Sequence, residues 1–135
     1  MRNPLEELVG FQLVRTAGIG LRTVNAAYGD LAIRHPDAAV MMVIEANPGI
    51  SQSAIGRMLK IQRSNMVPII SRLSDRGWIE RNPGRGKAIG ITVSPQGQAM
   101  MPQLHAASRE GEARLAAGIG PDVYAQLLEV LRKIA

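Results

Sequence analysis

A mainly α-helical fold with one small β-hairpin is predicted, and three observations predict it. Aromatic residues are scarce: one Trp, one Phe and two Tyr in 135 residues, although 46% of the chain is hydrophobic. The core must therefore be aliphatic and Met-rich, which suits helix packing better than a β-sandwich. Between Gly49 and Ser94, two short helical patterns separated by a tight break precede two β-rich runs joined by a Gly/Pro/Arg turn. The positive charge is also concentrated. Arg57 to Lys87 holds eight Lys/Arg against Asp75 and Glu80, a local +6 that leaves the rest of the chain at −1 of the net +5. Helix, turn, helix and basic hairpin, in that order, make a winged helix-turn-helix. In that arrangement one helix enters a DNA groove and the hairpin straddles the backbone beside it.

Taken in order, Asn3-Pro4-Leu5-Glu6 reads as a helix start, with Asn as cap, Pro in the first turn and Glu at the positive end. Leu5, Leu8, Val9, Leu13 and Ile19 begin an apolar stripe that drifts through Leu21, Val24 and Tyr28, so the helix is expected to run to about Tyr28. It is apolar on more sides than one core covers, which points to a partner subunit. His35-Pro36-Asp37 restarts the chain. Ala38 to Ala46 is apolar nearly all round and is expected at the centre, ending at Asn47-Pro48-Gly49. Ile50 is expected to add a short strand residue.

Ser51 is a good cap for a helix over 52–59 with Ile55, Met58 and Leu59 inward. Lys60-Ile61-Gln62 forms the turn. A second helix over 63–75 turns Met66, Ile69, Ile70 and Leu73 inward at i, i+3, i+4 and i+7, and Gly77 closes it. Pro68, a turn and a half inside, removes a backbone bond to Ser64 and predicts a slight bend. Trp78–Arg81 and Ala88–Val93 are the strands, with a basic loop over 82–87. Ser94-Pro95 starts a long helix to about Ala117, with Pro102 inside it. Gly118-Ile119-Gly120 breaks that helix, and Pro121 begins a last one striped by Val123, Leu127, Val130, Leu131 and Ile134. Residues 1–30 and 95–135 are thus expected to form a helical dimerisation region around a DNA-binding lobe over 31–94.

The chemistry expected of the lobe is recognition. Arg63, Ser64 and Asn65 open the second helix, where side chains meet base edges: Arg bonds guanine O6 and N7, Asn bonds adenine N6 and N7, and Ser serves base or phosphate. Capping would account for Ser64 or Asn65 but not for Arg63. Exposed Val67 can meet a thymine methyl or be partly buried. Ser51 and Gln52 offer a hydroxyl and free N–H groups to a phosphate. Arg72 and Arg81 either clamp phosphates or pair with Asp75 and Glu80, and the sequence does not choose. Arg85 and Lys87 on the hairpin tip are placed to reach a minor groove or phosphates, with a solvated tip as the alternative.

Other classes find little support. Cysteine is absent, which excludes disulfides and thiol chemistry, and His35 and His105 have no zinc-site spacing. Neither cofactor nor metal is expected. No nucleophile–base pair or paired-carboxylate site stands out, and GRGKAIG lacks the Walker spacing, so the chain is not expected to be an enzyme. Glu6, Glu7 and Arg15 interrupt the apolar positions of the N-terminus, and no run approaches the ~20 residues of a membrane span, so a cytoplasmic protein is expected. A winged-helix module for binding protein and an architectural DNA-binding protein remain the alternatives.

Residues 49–100 resemble the DNA-binding lobe of MarR-type regulators. The resemblance rests on Ile50-Ser51-Gln52, Arg63-Ser64-Asn65-Met66, Arg72-Leu73 with Gly77-Trp78-Ile79 and Arg81, and Val93-Ser94 with Gly97. The family's wing usually carries Asp-x-Arg; here the tip reads Arg85-Gly86-Lys87. The resemblance implies a homodimer joined through its terminal helices, two recognition helices on half-sites about one helical turn apart, and a pseudo-palindromic operator on double-stranded DNA. It also implies a repressor released by a small effector bound between the dimerisation helices and the lobe. Without cysteine, ligand binding rather than thiol oxidation is the implied signal. An aromatic or acidic effector, or its CoA thioester, would meet Arg15, Arg22, Tyr28, Arg34 and His35, each of which also reads as a surface or interface residue.

Overall fold

The structure, a computed structural model, describes residues 1–83 and 89–135. The described residues form α1 (Val9–Ala27), a short 3-10 turn (Gly29–Leu31), α2 (His35–Ala46), α3 (Gln52–Leu59), α4 (Arg63–Asp75), strands β1 (Ile79–Pro83) and β2 (Ile89–Val93), α5 (Pro95–Ile119) and α6 (Pro121–Ile134). The chain divides into two compact units, 31–105 and 1–30 with 106–135.

In the unit over 31–105, α2 lies at the centre, as its sequence predicts: Ala38, Val40, Met41 and Ile44 are fully buried. Around it sit Ile55 of α3, Met66, Ile69, Ile70 and Leu73 of α4, Trp78 before β1, and Met100, Met101 and Leu104 of α5. Aliphatic and thioether side chains fill this core, and Trp78 is its one aromatic group. The expectation for Met58 is overturned, since that side chain is 56% exposed. A helix of eight residues has one narrow inward face, and Ile55 already occupies it.

Caps set the helix starts. The Ser51 hydroxyl accepts the Ala54 N–H at 3.2 Å and the Ser94 hydroxyl accepts that of Gly97 at 3.0 Å. The Ser94 hydroxyl also donates to the Gly77 carbonyl at 2.5 Å, so one buried serine ties the end of α4 to the start of α5. Gly97 is required there, because a methyl group would collide with the Trp78 carbonyl. Between α3 and α4 the Ile61 N–H reaches the Gly56 carbonyl at 2.9 Å. A Cβ at Gly56 would lie only 2.9 Å from the Ile61 carbonyl, so the turn closes tightly because residue 56 is glycine.

β1 and β2 pair antiparallel with Ile79 opposite Val93 and Pro83 opposite Ile89. β1 runs two residues beyond its expected end at Arg81. Ile50 bridges Ile91 on the other side of β2, as expected of it. The expected loop over 82–87 falls partly, and the strand residue Ala88 wholly, outside the described residues.

In the other unit, α5 passes α1 at Gly111, where an added Cβ would rest 3.5 Å from Val24 and Ala27. The first helix starts later than expected, at Val9. Asn3 accepts the Leu5 N–H at 3.1 Å and caps a single turn, and the Gln12 amide donates to the Glu6 carbonyl at 2.8 Å. Leu8 is extended, so the helical ladder begins only after it. At the other end α5 continues through Gly118 to Ile119. Gly120 alone breaks it, at φ +100°, a conformation open to glycine.

Candidate nucleic-acid interface

The helix-turn-helix and the hairpin enclose a shallow concave surface of about 780 Å³. Its apolar floor is Gly56, Ile61, Met66, Ile89 and Ile91, and its rim is polar. Four cations stand on that rim: Arg57 of α3, Lys60 of the turn, Arg63 of α4 and Arg81 of β1. No carboxylate among the described residues lines the surface. Among the described residues, none of the four side chains makes an ion pair or hydrogen bond. Four cations over a concave floor, with no counter-charge among the described residues, make a strongly positive field, which attracts a polyanion.

Several residues singled out from the sequence meet here. Ser51, Gln52, Arg63 and Arg81 line the surface. The Ser51 hydroxyl accepts the Ala54 N–H and lies 3.3 Å from the Ser53 hydroxyl. Ser64, Asn65 and Val67 are exposed along α4, and Asn65 borders an adjoining depression with Pro36, Gln62 and Ile69. Arg85 and Lys87 lie outside the described residues.

Arg72 behaves differently. Its guanidinium donates two bonds to Asp37, Nε to Oδ2 at 2.9 Å and Nη2 to Oδ1 at 2.8 Å. Neither Asp75 nor Glu80, the partners its sequence neighbourhood suggests, is involved. Asp37 is buried at 5% exposure, so this bidentate pair compensates a desolvated charge. The hydrogen bonds it donates to Asp37 hold the Arg72 guanidinium above its ordinary basicity, against the opposing effect of desolvation. Arg76, one turn later, is likewise engaged. It donates to the carbonyls of Ala32 (2.9 Å) and Leu31 (3.0 Å) and lies 3.8 Å from the centroid of the Trp78 ring. Arginines of one helix thus split into structural ones at its end and an unpaired one at its start.

The sequence reading did not select Ser53, Arg57, Lys60 and Gln62, which also line the surface. Ser53, Arg57 and Lys60 fall at i, i+4 and i+7, the polar complement of the stripe through Ile55 and Leu59. That periodicity was the available signal.

Arg15 and Arg22 are exposed on α1, Tyr28 is buried just after it, and Arg34 and His35 are exposed at the start of α2. Among the described residues no three His, Asp or Glu side chains gather as a metal-binding group, and no helix is long and apolar enough to cross a membrane.

Residues 33–88 match the model of the MarR family. Over 128 residues the chain is 22% identical to an HTH-type transcriptional repressor of Mycobacterium tuberculosis, covering 93% of this chain and 92% of that one. A transcriptional repressor, CouR, bound to a 23-mer DNA duplex superposes with a TM-score of 0.87 at 24% identity, covering 99% of both chains. CouR from Rhodococcus jostii RHA1 bound to p-coumaroyl-CoA gives 0.84 at 22% identity, covering 98% of this chain and 95% of that one.

Proposed function

We propose that the chain is a MarR-type winged helix-turn-helix regulator and that it represses transcription by binding a pseudo-palindromic operator as a homodimer. We further propose that a small aromatic or acidic effector, free or as its CoA thioester, releases it. One observation carries the DNA-binding part: the concave surface whose four cations have no partner and no carboxylate beside them among the described residues. A duplex is the polyanion that fits. It presents a continuous row of phosphates to Arg57, Arg81 and the caps, and base edges to Arg63, Ser64 and Asn65 on the helix that projects from the same surface.

In this reading 31–94 is the DNA-binding lobe, and 1–30 with 95–135 form the dimerisation region. Dimerisation is supported by the apolar side chains that α1 and α6 leave in solvent, among them Val9, Leu13, Val14, Val123, Leu127, Val130 and Leu131. The effector is proposed to meet Arg15, Arg22, Tyr28, Arg34 and His35, cationic and polar groups suited to a carboxylate or a CoA phosphate. The CouR complex with p-coumaroyl-CoA supports that class of ligand.

A mobility-shift assay tests the proposal. The protein is titrated onto duplexes from upstream of its own gene and the adjacent genes, then challenged with aryl acids and aryl-CoA thioesters. A specific shift reversed by one of these compounds is the expected result. Absence of a shift on every such fragment would sink the repressor reading, and a shift equal on random DNA would replace it with an architectural role.

A further inference from the structure

The turn between α3 and α4 closes on Lys60, whose backbone lies at φ 54° and ψ 42°. Glycine, which has no Cβ, adopts this left-handed conformation freely, whereas other L-residues crowd their Cβ against the following carbonyl. Helix-turn-helix turns commonly contain glycine, and helices commonly end on one. A lysine here is therefore held in an unfavourable conformation. Among the described residues its ammonium has no hydrogen-bond or ion-pair partner. Main-chain bonds close the turn without the side chain: the Lys60 N–H reaches the Arg57 carbonyl at 3.4 Å and the Ile61 N–H the Gly56 carbonyl at 2.9 Å.

Lys60 borders both the main concave surface and the adjoining depression beside Gln62 and Asn65. It thus stands next to the first turn of α4, level with the side chains that would read bases. We propose that Lys60 is a phosphate anchor: its ammonium contacts the DNA backbone beside the bases met by α4 and sets the depth of that helix in the groove. This rests on the DNA-binding reading above. A phosphate fits better than a base edge. Lysine is a compact point charge on a flexible stem, without the planar fork that reads guanine.

The test compares wild type, Lys60→Gly and Lys60→Arg by thermal melting and by fluorescence anisotropy on a short duplex of mixed sequence, over roughly 50 to 200 mM salt. Lys60→Gly is expected to melt higher than wild type, because the strain is relieved, yet to bind more weakly. Its slope of log K against log [salt] should be shallower by about 0.9 for each lobe on the duplex. Lys60→Arg should restore the wild-type slope. If wild type binds the duplex and Lys60→Gly matches its affinity and slope, the anchor is overturned while the DNA-binding reading stands. Weaker binding accompanied by a lower melting temperature overturns it too, since the turn rather than the charge would then be lost. A wild type that binds no duplex overturns both.

Discussion

Arg63 and Arg72 sit on the same helix, yet their surroundings give them opposite duties. Arg72 closes a two-bond pair on buried Asp37, whereas Arg63 has no partner among the described residues. Replacing Arg63 with Ala should therefore leave the urea midpoint unchanged and cost about 1–3 kcal/mol of binding on the specific operator. A similar loss on random duplex would make Arg63 a phosphate contact. Arg72→Ala should do the reverse. It leaves the Asp37 carboxylate desolvated and unpaired, for a stability loss of about 1–3 kcal/mol in urea titration. The lower part of that range is expected, because the Arg72 side chain is 41% exposed and solvent screens the pair. Arg72→Lys should rescue little, since lysine lacks the fork that engages both carboxylate oxygens.

At the scale of elements, the lobe depends on a few close approaches. Gly97 opens α5 against the Trp78 carbonyl, with Ser94 bonding both the Gly77 carbonyl and the Gly97 N–H. A methyl group at 97 must push α5 away from the base of the hairpin. Gly97→Ala should destabilise the protein by about 1–3 kcal/mol, the usual cost of overpacking. A melting temperature unchanged from wild type would refute that contact. Local patterns made most of these elements legible beforehand. Serine caps, a 3–4 apolar period in α4 and a Gly-bounded pair of β-rich runs are interactions between near neighbours, and they hold wherever the chain is placed. Two expectations failed where a local pattern was ambiguous. The Asn3-Pro4 start caps one turn instead of the helix, because Leu8 is extended and interrupts the ladder before Val9. Met58 shares the period of Ile55 but not its direction, because a two-turn helix offers only one inward side.

For the whole molecule, the exposed apolar stripe of α6, with Leu127, Val130 and Leu131 between 37% and 51% accessible, is more than a monomer ordinarily leaves in water. Leu127→Asp combined with Leu131→Asp should convert a dimer to monomer in sedimentation and lower operator affinity on the order of 10²-fold or more, the gain that linking two lobes supplies. A monomeric wild type with full operator affinity would refute the homodimer. Lobe folding should survive the double change, because neither leucine belongs to the unit over 31–105.

The sequence by itself determined the order of elements, the aliphatic core and the basic stretch beside a recognition helix, because caps, periodicity and charge density act over a few residues. Only the tertiary structure decided which cations of that stretch are available to a ligand. Asp37 lies 35 positions from Arg72, and the Leu31 and Ala32 carbonyls lie 45 and 44 positions from Arg76. No local pattern reports such pairings, since they arise when α2 and the turn before it pack against α4 and the residue that ends it. Two arginines that look identical to Arg63 in the sequence are thereby spent on holding the lobe. Arg57, Lys60, Arg63 and Arg81 are left on one open surface with no counter-charge in the described residues.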